Sequence, residues 1–238
     1  MNIIKVKDYT EMSQKAAAYI IDKVRVKPNL KLGLATGGTP IGTYQNLIKD
    51  HQEHGTSYQQ VVTFNLDEYI GISSDHENSY RFYMNDHLFN HIDIPIGQTF
   101  IPNGNADNIE AECVRYEQLI QHYGGIDLQI LGIGSNGHIG FNEPGTSFHS
   151  KTHVIDLAPS TIKANARFFS SLAEVPTKAI TMGISTIMNS KEILLLVSGE
   201  NKKEAMKKLS TGEISESFPA SVLRNHSNVT IMVDQAAL

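Results

Sequence analysis

Three short stretches of this chain concentrate side chains that move protons or hold anions. Asp67 and Glu68 directly follow the apolar run Val61–Phe64. A carboxylate at the mouth of an α/β sheet can lose solvent and so become more basic. Removing a proton from carbon demands such a base. The same pair also serves in loops, capping or facing water. The second stretch, Gly132–Pro144, brings Asn136, His138 and Glu143 within eight positions of a glycine-rich segment. A neutral imidazole donates from one nitrogen and accepts at the other, and a neighbouring carboxylate or amide fixes which. That suits proton transfer between oxygens. His138 and Glu143 could alternatively ligate a metal, but no nearby His or Asp completes a usual set. The third stretch is Thr36-Gly37-Gly38-Thr39-Pro40. Its glycines permit close backbone approach. Thr39 suits a helix N-cap and Pro40 the first turn, so free N–H groups and the helix dipole would face an anion. The spacing is neither a P-loop nor GxGxxG, and such a turn also occurs without a ligand.

Elements that would position these residues follow from periodicity. Asp8 and Glu11 have capping-box spacing, and Met12, Ala16, Ile20 and Val24 then repeat as a helical stripe. Leu30–Ala35 reads as a buried strand, and Ile41, Tyr44, Leu47 and Ile48 as one face of the next helix. Val61–Phe64 is a second strand, ending at Asn65–Tyr69. Asp107 and Glu110 again match a capping box, before the stripe Ile109, Cys113, Tyr116 and Ile120 and the stop Gly124-Gly125. Leu128–Gly132, Ala179–Met182, Ile193–Val197 and Val229–Val233 read as further strands, with a helix near Asn201–Leu209 closed by Gly212. Strands separated by helix-length segments imply βαβ units. The expectation is one α/β domain over residues 1–238, a mainly parallel sheet flanked by helices. Ligands of such sheets gather beyond the carboxyl ends of the strands, where all three stretches fall.

Composition excludes several classes. A net charge of −5 without a basic cluster argues against a nucleic-acid partner. Cys113 is the single cysteine, so neither an internal disulfide nor a cysteine-based metal site can form. The polar start MNIIKVKDYTEMSQ has no signal-peptide core, and the longest apolar run, Ile193–Val197, cannot span a bilayer. A soluble cytoplasmic protein without a membrane partner is expected.

Ala35–Pro40 (ATGGTP), Val61–Tyr69 (VVTFNLDEY) and Gly132–Pro144 (GIGSNGHIGFNEP) resemble the signature segments of the glucosamine-6-phosphate deaminase family, in order and spacing. Asn103–Ala106 and Asn165–Phe169 (NARFF) fit too. The resemblance covers nearly the whole chain. The third segment is highly specific, whereas the first is shared with relatives such as 6-phosphogluconolactonases. It implies a Rossmann-like fold and conversion of glucosamine 6-phosphate and water to fructose 6-phosphate and ammonia, without metal or organic cofactor. By motif match, Asp67 is the base moving a proton between C2 and C1. His138 opens the sugar ring, assisted by Glu143 and by position 136. Gly37, Gly38, Thr39, Arg167 and Lys202 would hold the phosphate.

The chain departs from the family pattern at Asn136, where many members carry Asp. An amide cannot share a proton, so Asn136 is expected to orient His138. His153 and Ile155 stand at positions that are cationic in the larger hexameric members activated by N-acetylglucosamine 6-phosphate, and the sequence ends at Leu238. A monomer with hyperbolic kinetics is therefore expected. The segment from Ala158 to Pro176 is expected to form a flap that closes when Arg167 reaches phosphate. A sugar-phosphate lactonase, a galactosamine 6-phosphate deaminase and a sugar-phosphate-sensing regulator domain are the competing readings. The last lacks a helix-turn-helix segment before the first strand.

Overall fold

A computed structural model describes residues 1–157, 162, 166, 169, 171 and 174–238. The first half contains β1 (Asn2–Val6), α1 (Tyr9–Val26), β2 (Lys31–Leu34), α2 (Ile41–His54), β3 (Val62–Asn65) and β4 (Asp67–Tyr69). It continues with α3 (Tyr80–His87), β5 (Thr99–Phe100), α4 (Ile109–His122) and β6 (Leu128–Gly132). The second half contains β7 (His153–Asp156), β8 (Lys178–Thr181), α5 (Ile184–Met188), β9 (Ile193–Val197), α6 (Lys203–Thr211) and β10 (Val229–Asp234).

Among the described residues, seven strands form a parallel sheet in the order β1-β10-β9-β6-β2-β3-β5. The chain runs outward from β2 through β3 to β5, then returns to lay β6 on the other side of β2. The adjacent pair β2 and β6 thus marks the point where strand order reverses, the usual crevice for ligands. Both sheet faces are covered, which is why the central strands read as unbroken apolar runs. All five residues of β9 are buried. Ile193, Leu195 and Val197 face one core with Tyr116, Ile120 and Leu209, from α4 and α6. Leu194 and Leu196 face the other, with Met12, Ile20, Tyr44 and Leu47 from α1 and α2. Each such side chain contributes roughly 1.5–3 kcal/mol of burial.

A smaller antiparallel sheet, in the order β4-β8-β7, stands beside the first. Leu66 is the pivot between them: its N–H bonds Leu34 in the large sheet, and its carbonyl accepts from Met182 just after β8. The sequence reading left Asn65–Tyr69 as a strand end and grouped Ala179–Met182 with the other strands. Pairs this short carry no period of their own, and tertiary pairing decides them. β1, β5, β7 and α3 escaped periodicity because they bury too few side chains to show a stripe: β1 buries only Val6, β7 none, β5 spans two residues and α3 buries only Met84.

Two helix starts are corrected. Pro40, not Thr39, occupies the N-cap of α2, without a side-chain cap. Asn108, not Asp107, caps α4 by accepting from Ala111 N. Asp8 caps α1 as expected, while Glu11 reaches back to the N–H of Lys7 rather than of Asp8.

Candidate active site

A cavity of about 430 Å³ opens over the carboxyl ends of β2, β3 and β6. It collects the glycine loop after β2, Asp67 after β3 and the Gly132–Phe141 loop after β6, with Lys202 at its edge. A larger cleft of about 530 Å³ lies at the opposite, amino ends of the strands. There Lys23 pairs with Glu192 at 2.5 Å, and Lys27 and Lys191 pair with Asp127 at 2.7 and 2.8 Å. Those charges satisfy one another, which fits a structural tie better than a ligand site.

Successive side chains of a strand point to opposite sides, and β4 uses this to divide the acidic pair. Asp67 lines the cavity and is 6% exposed. Glu68 points away and accepts from the backbone N–H groups of Tyr69, Tyr80 and Arg81 at 2.9, 2.9 and 3.0 Å. It thereby caps α3 together with Ser79, which accepts from Phe82 N. Among the described residues no donor reaches the Asp67 carboxylate. Burial, and then the nearby Glu68 charge, raise its pKa to about 8. Such a carboxyl is a far stronger base once ionised than an exposed one.

The loop after β6 is wound tightly by its glycines. Gly134 N bonds His138 O at 2.9 Å and Gly137 N bonds Gly134 O at 3.0 Å. A methyl group on Gly134 would sit 2.3 Å from the His138 ring, so glycine is what admits the imidazole. Gly137 has φ +88°, and a side chain there would strike Phe218 at 2.2 Å. The Asn136 amide donates to Glu143 Oε2 at 2.7 Å, and its oxygen accepts from His138 N at 3.2 Å. Glu143 Oε1 lies 3.7 Å from His138 Nδ1, a gap that a small shift would close into a hydrogen bond. Asn136, His138 and Glu143 are thus one constellation. Among the described residues no third His, Cys, Asp or Glu joins them in a metal-holding cluster.

Gly37, Gly38 and Thr39 line the cavity from β2. Gly37 has φ +89°, a conformation that other residues resist. Lys202 lies in a short turn of helix over Glu200–Lys202, just before α6. Burial lowers its pKa, and among the described residues no carboxylate forms an ion pair with it. Ser198 Oγ and Gly199 N bond Asp234, fixing the turn that carries it. A partly desolvated cation lining the same cavity as the glycine loop suits an anion. Arg167 and most of the Ala158–Pro176 segment lie outside the described residues.

Sequence reading missed Tyr80 and Phe141, which wall the cavity with their rings stacked 6.1 Å apart at 13°. Ser79 before a helix-length segment was the signal for α3. Nothing local foretells that its first residue turns toward Asp67.

A family model described as glucosamine-6-phosphate isomerases/6-phosphogluconolactonase matches residues 7–232. A glucosamine-6-phosphate deaminase of Geobacillus sp. (strain WCH70) is 63% identical over all of this chain and 95% of its own length. Glucosamine-6-phosphate deaminase 1 of Bacillus subtilis (strain 168) is 58% identical, covering all of this chain and 98% of its own. A solved structure described as a monomeric glucosamine-6-phosphate deaminase superposes with a TM-score of 0.97 at 58% identity, covering 100% of this chain and 98% of the other. A 6-phosphogluconolactonase from Trypanosoma cruzi shares the fold, with a TM-score of 0.78 at 20% identity over 99% of this chain and 95% of the other. With its sheet reversal, glycine loop and Asn136–His138–Glu143 constellation in place, the chain belongs to the family of glucosamine-6-phosphate isomerases and 6-phosphogluconolactonases.

Proposed function

We propose that this chain converts glucosamine 6-phosphate and water to fructose 6-phosphate and ammonia. One observation carries the reading: a desolvated carboxylate, a histidine backed by a carboxylate and an anion-suited loop meet at one cavity. The phosphate rests on Gly37, Gly38 and Thr39 and against Lys202, with Arg167 assigned there by its motif. This leaves the sugar ring over Asp67 and His138. His138, oriented by Asn136 and Glu143, carries the proton of the anomeric hydroxyl to the ring oxygen, opening the ring to an aldehyde. Asp67 then takes the proton from C2 and returns it to C1, while a proton passes from the C2 amino group to the C1 oxygen, giving the ketose imine with a C1 hydroxyl. Water adds at C2 and ammonia leaves, completing the atom balance. Carbon acids are weak, so the second task falls to the desolvated carboxylate. Oxygen-to-oxygen transfer falls to the imidazole.

Lactone hydrolysis would use the anion loop but no base aimed at carbon, so Asp67 in its dry position favours deamination. Ammonia release from glucosamine 6-phosphate, galactosamine 6-phosphate and 6-phosphogluconolactone separates these readings. Ammonia from the first is expected, at least about tenfold faster than from the second. Lactone hydrolysis without ammonia release would contradict the proposal.

The chain is further proposed to work as a monomer without activation by N-acetylglucosamine 6-phosphate. Its support is the similarity to the structure described as monomeric and His153 and Ile155 at positions where the resemblance leads one to expect cations. Light scattering should give the mass of one chain, and initial rates should stay hyperbolic. Sigmoidal curves made hyperbolic by that compound would overturn this.

A further inference from the structure

The loop Gly37–Thr39 owes its shape to two tyrosines that lie outside the cavity. Tyr83, on α3, donates its hydroxyl proton to Gly37 O at 2.7 Å. Tyr9, the first residue of α1, donates to Gly38 O at 3.1 Å and accepts from Gly42 N at 2.8 Å. Neither tyrosine lines the cavity, whereas both glycines do. In a trans peptide the carbonyl and the following N–H point in opposite directions, and no described peptide bond is cis. Drawing the Gly37 and Gly38 carbonyls outward therefore turns the N–H groups of Gly38 and Thr39 toward the cavity.

Pro40 lacks an N–H and provides no side-chain cap. Gly42, in the first turn of α2, spends its N–H on Tyr9. Glycine at 37 and 38 gives the loop freedom, and a methyl group at either would meet nothing within 4 Å. Side-chain packing at these two positions thus does not hold the loop's orientation. The hydroxyl tethers do.

We propose that Tyr9 and Tyr83 are positioning residues that aim the Gly38 and Thr39 N–H groups at the substrate's phosphate. They touch no substrate. Because each arises from a different helix, they also tie phosphate binding to the seating of α1 and α3. This deepens the proposed function and rests on the loop being its phosphate site.

Tyr9→Phe and Tyr83→Phe keep both rings and remove only the hydroxyls. Each should raise the KM for glucosamine 6-phosphate by about fivefold, and the double variant by more than about tenfold, the scale of one or two modest hydrogen bonds. The kcat should stay within about twofold, since the reacting atoms are untouched. Calorimetry should show affinity for inorganic phosphate falling by the same factors. Turnover of unphosphorylated glucosamine at saturating concentration should not change, which separates aim from general damage.

An unchanged phosphate affinity in the double variant, with the parent enzyme active and binding phosphate, would overturn the proposal and leave the deaminase reading intact. Equal losses toward phosphorylated and unphosphorylated sugar would overturn it too. If the parent neither releases ammonia nor binds phosphate, the underlying reading has failed instead.

Discussion

At the scale of single residues, Asp67, the proposed carbon base, bears a cost in stability. Its carboxyl is raised to about 8 from an ordinary value of 3.8, first by burial and then by Glu68. A raised carboxyl means the folded state holds its proton more tightly than the unfolded state. The contribution to stability is complete below about pH 4 and is lost as pH climbs through about 8. Asp67→Asn carries no such titration. It should match the parent in urea unfolding at pH 4 and exceed it at pH 9, by up to about 6 kcal/mol. A difference of equal size at both pH values would show that the carboxylate is not desolvated. Composition and position presented Asp67 and Glu68 as equivalent neighbours, and only the family resemblance singled out Asp67. Strand alternation in β4 separated them, and that alternation was invisible because the three residues were read as the end of a strand.

At the scale of elements, the glycine-rich loop after β6 works by what it leaves out. Gly134 lacks the methyl that would meet the His138 ring at 2.3 Å, and the ring rather than backbone would have to give way. Gly134→Ala should therefore keep most of its thermal stability while kcat/KM falls by about 10² or more, the usual scale for a misplaced acid–base group. Gly137→Ala is the contrast. Its φ of +88° and the Phe218 ring at 2.2 Å should lower both folding and activity. Thermal melts and steady-state rates on both variants decide whether Gly134 acts through His138. This loop was the most legible part of the chain, because Asn136, His138 and Glu143 are close in sequence and stay close in space. Thr39 as a cap was misread, since Pro40 takes the N-cap and a tyrosine from another helix serves Gly42. Caps supplied from a distance leave no mark in local sequence.

At the scale of the whole molecule, the fold brings the site together by reversing strand order between β2 and β6. The parallel sheet was readable because strands buried on both faces are apolar throughout. The antiparallel sheet β4-β8-β7 was not, yet it delivers Asp67 to the cavity: Asp67 pairs with Thr181, whose Oγ1 in turn accepts from Phe141 N in the loop after β6. Asp67 and the Asn136–His138–Glu143 constellation are thus joined through β8. Among the described residues no helix is long and apolar enough to cross a membrane. Asp67 is proposed to move the proton between C2 and C1 of a sugar phosphate in this cavity. The direct test is exchange of one C1 hydrogen of fructose 6-phosphate with solvent deuterium in the presence of ammonia, followed by NMR. Stereospecific exchange is expected with the parent protein and with Tyr83→Phe. A fall by at least about 10² is expected with Asp67→Asn, which should still bind the sugar phosphate. Near-parental exchange by a folded Asp67→Asn protein would contradict that role.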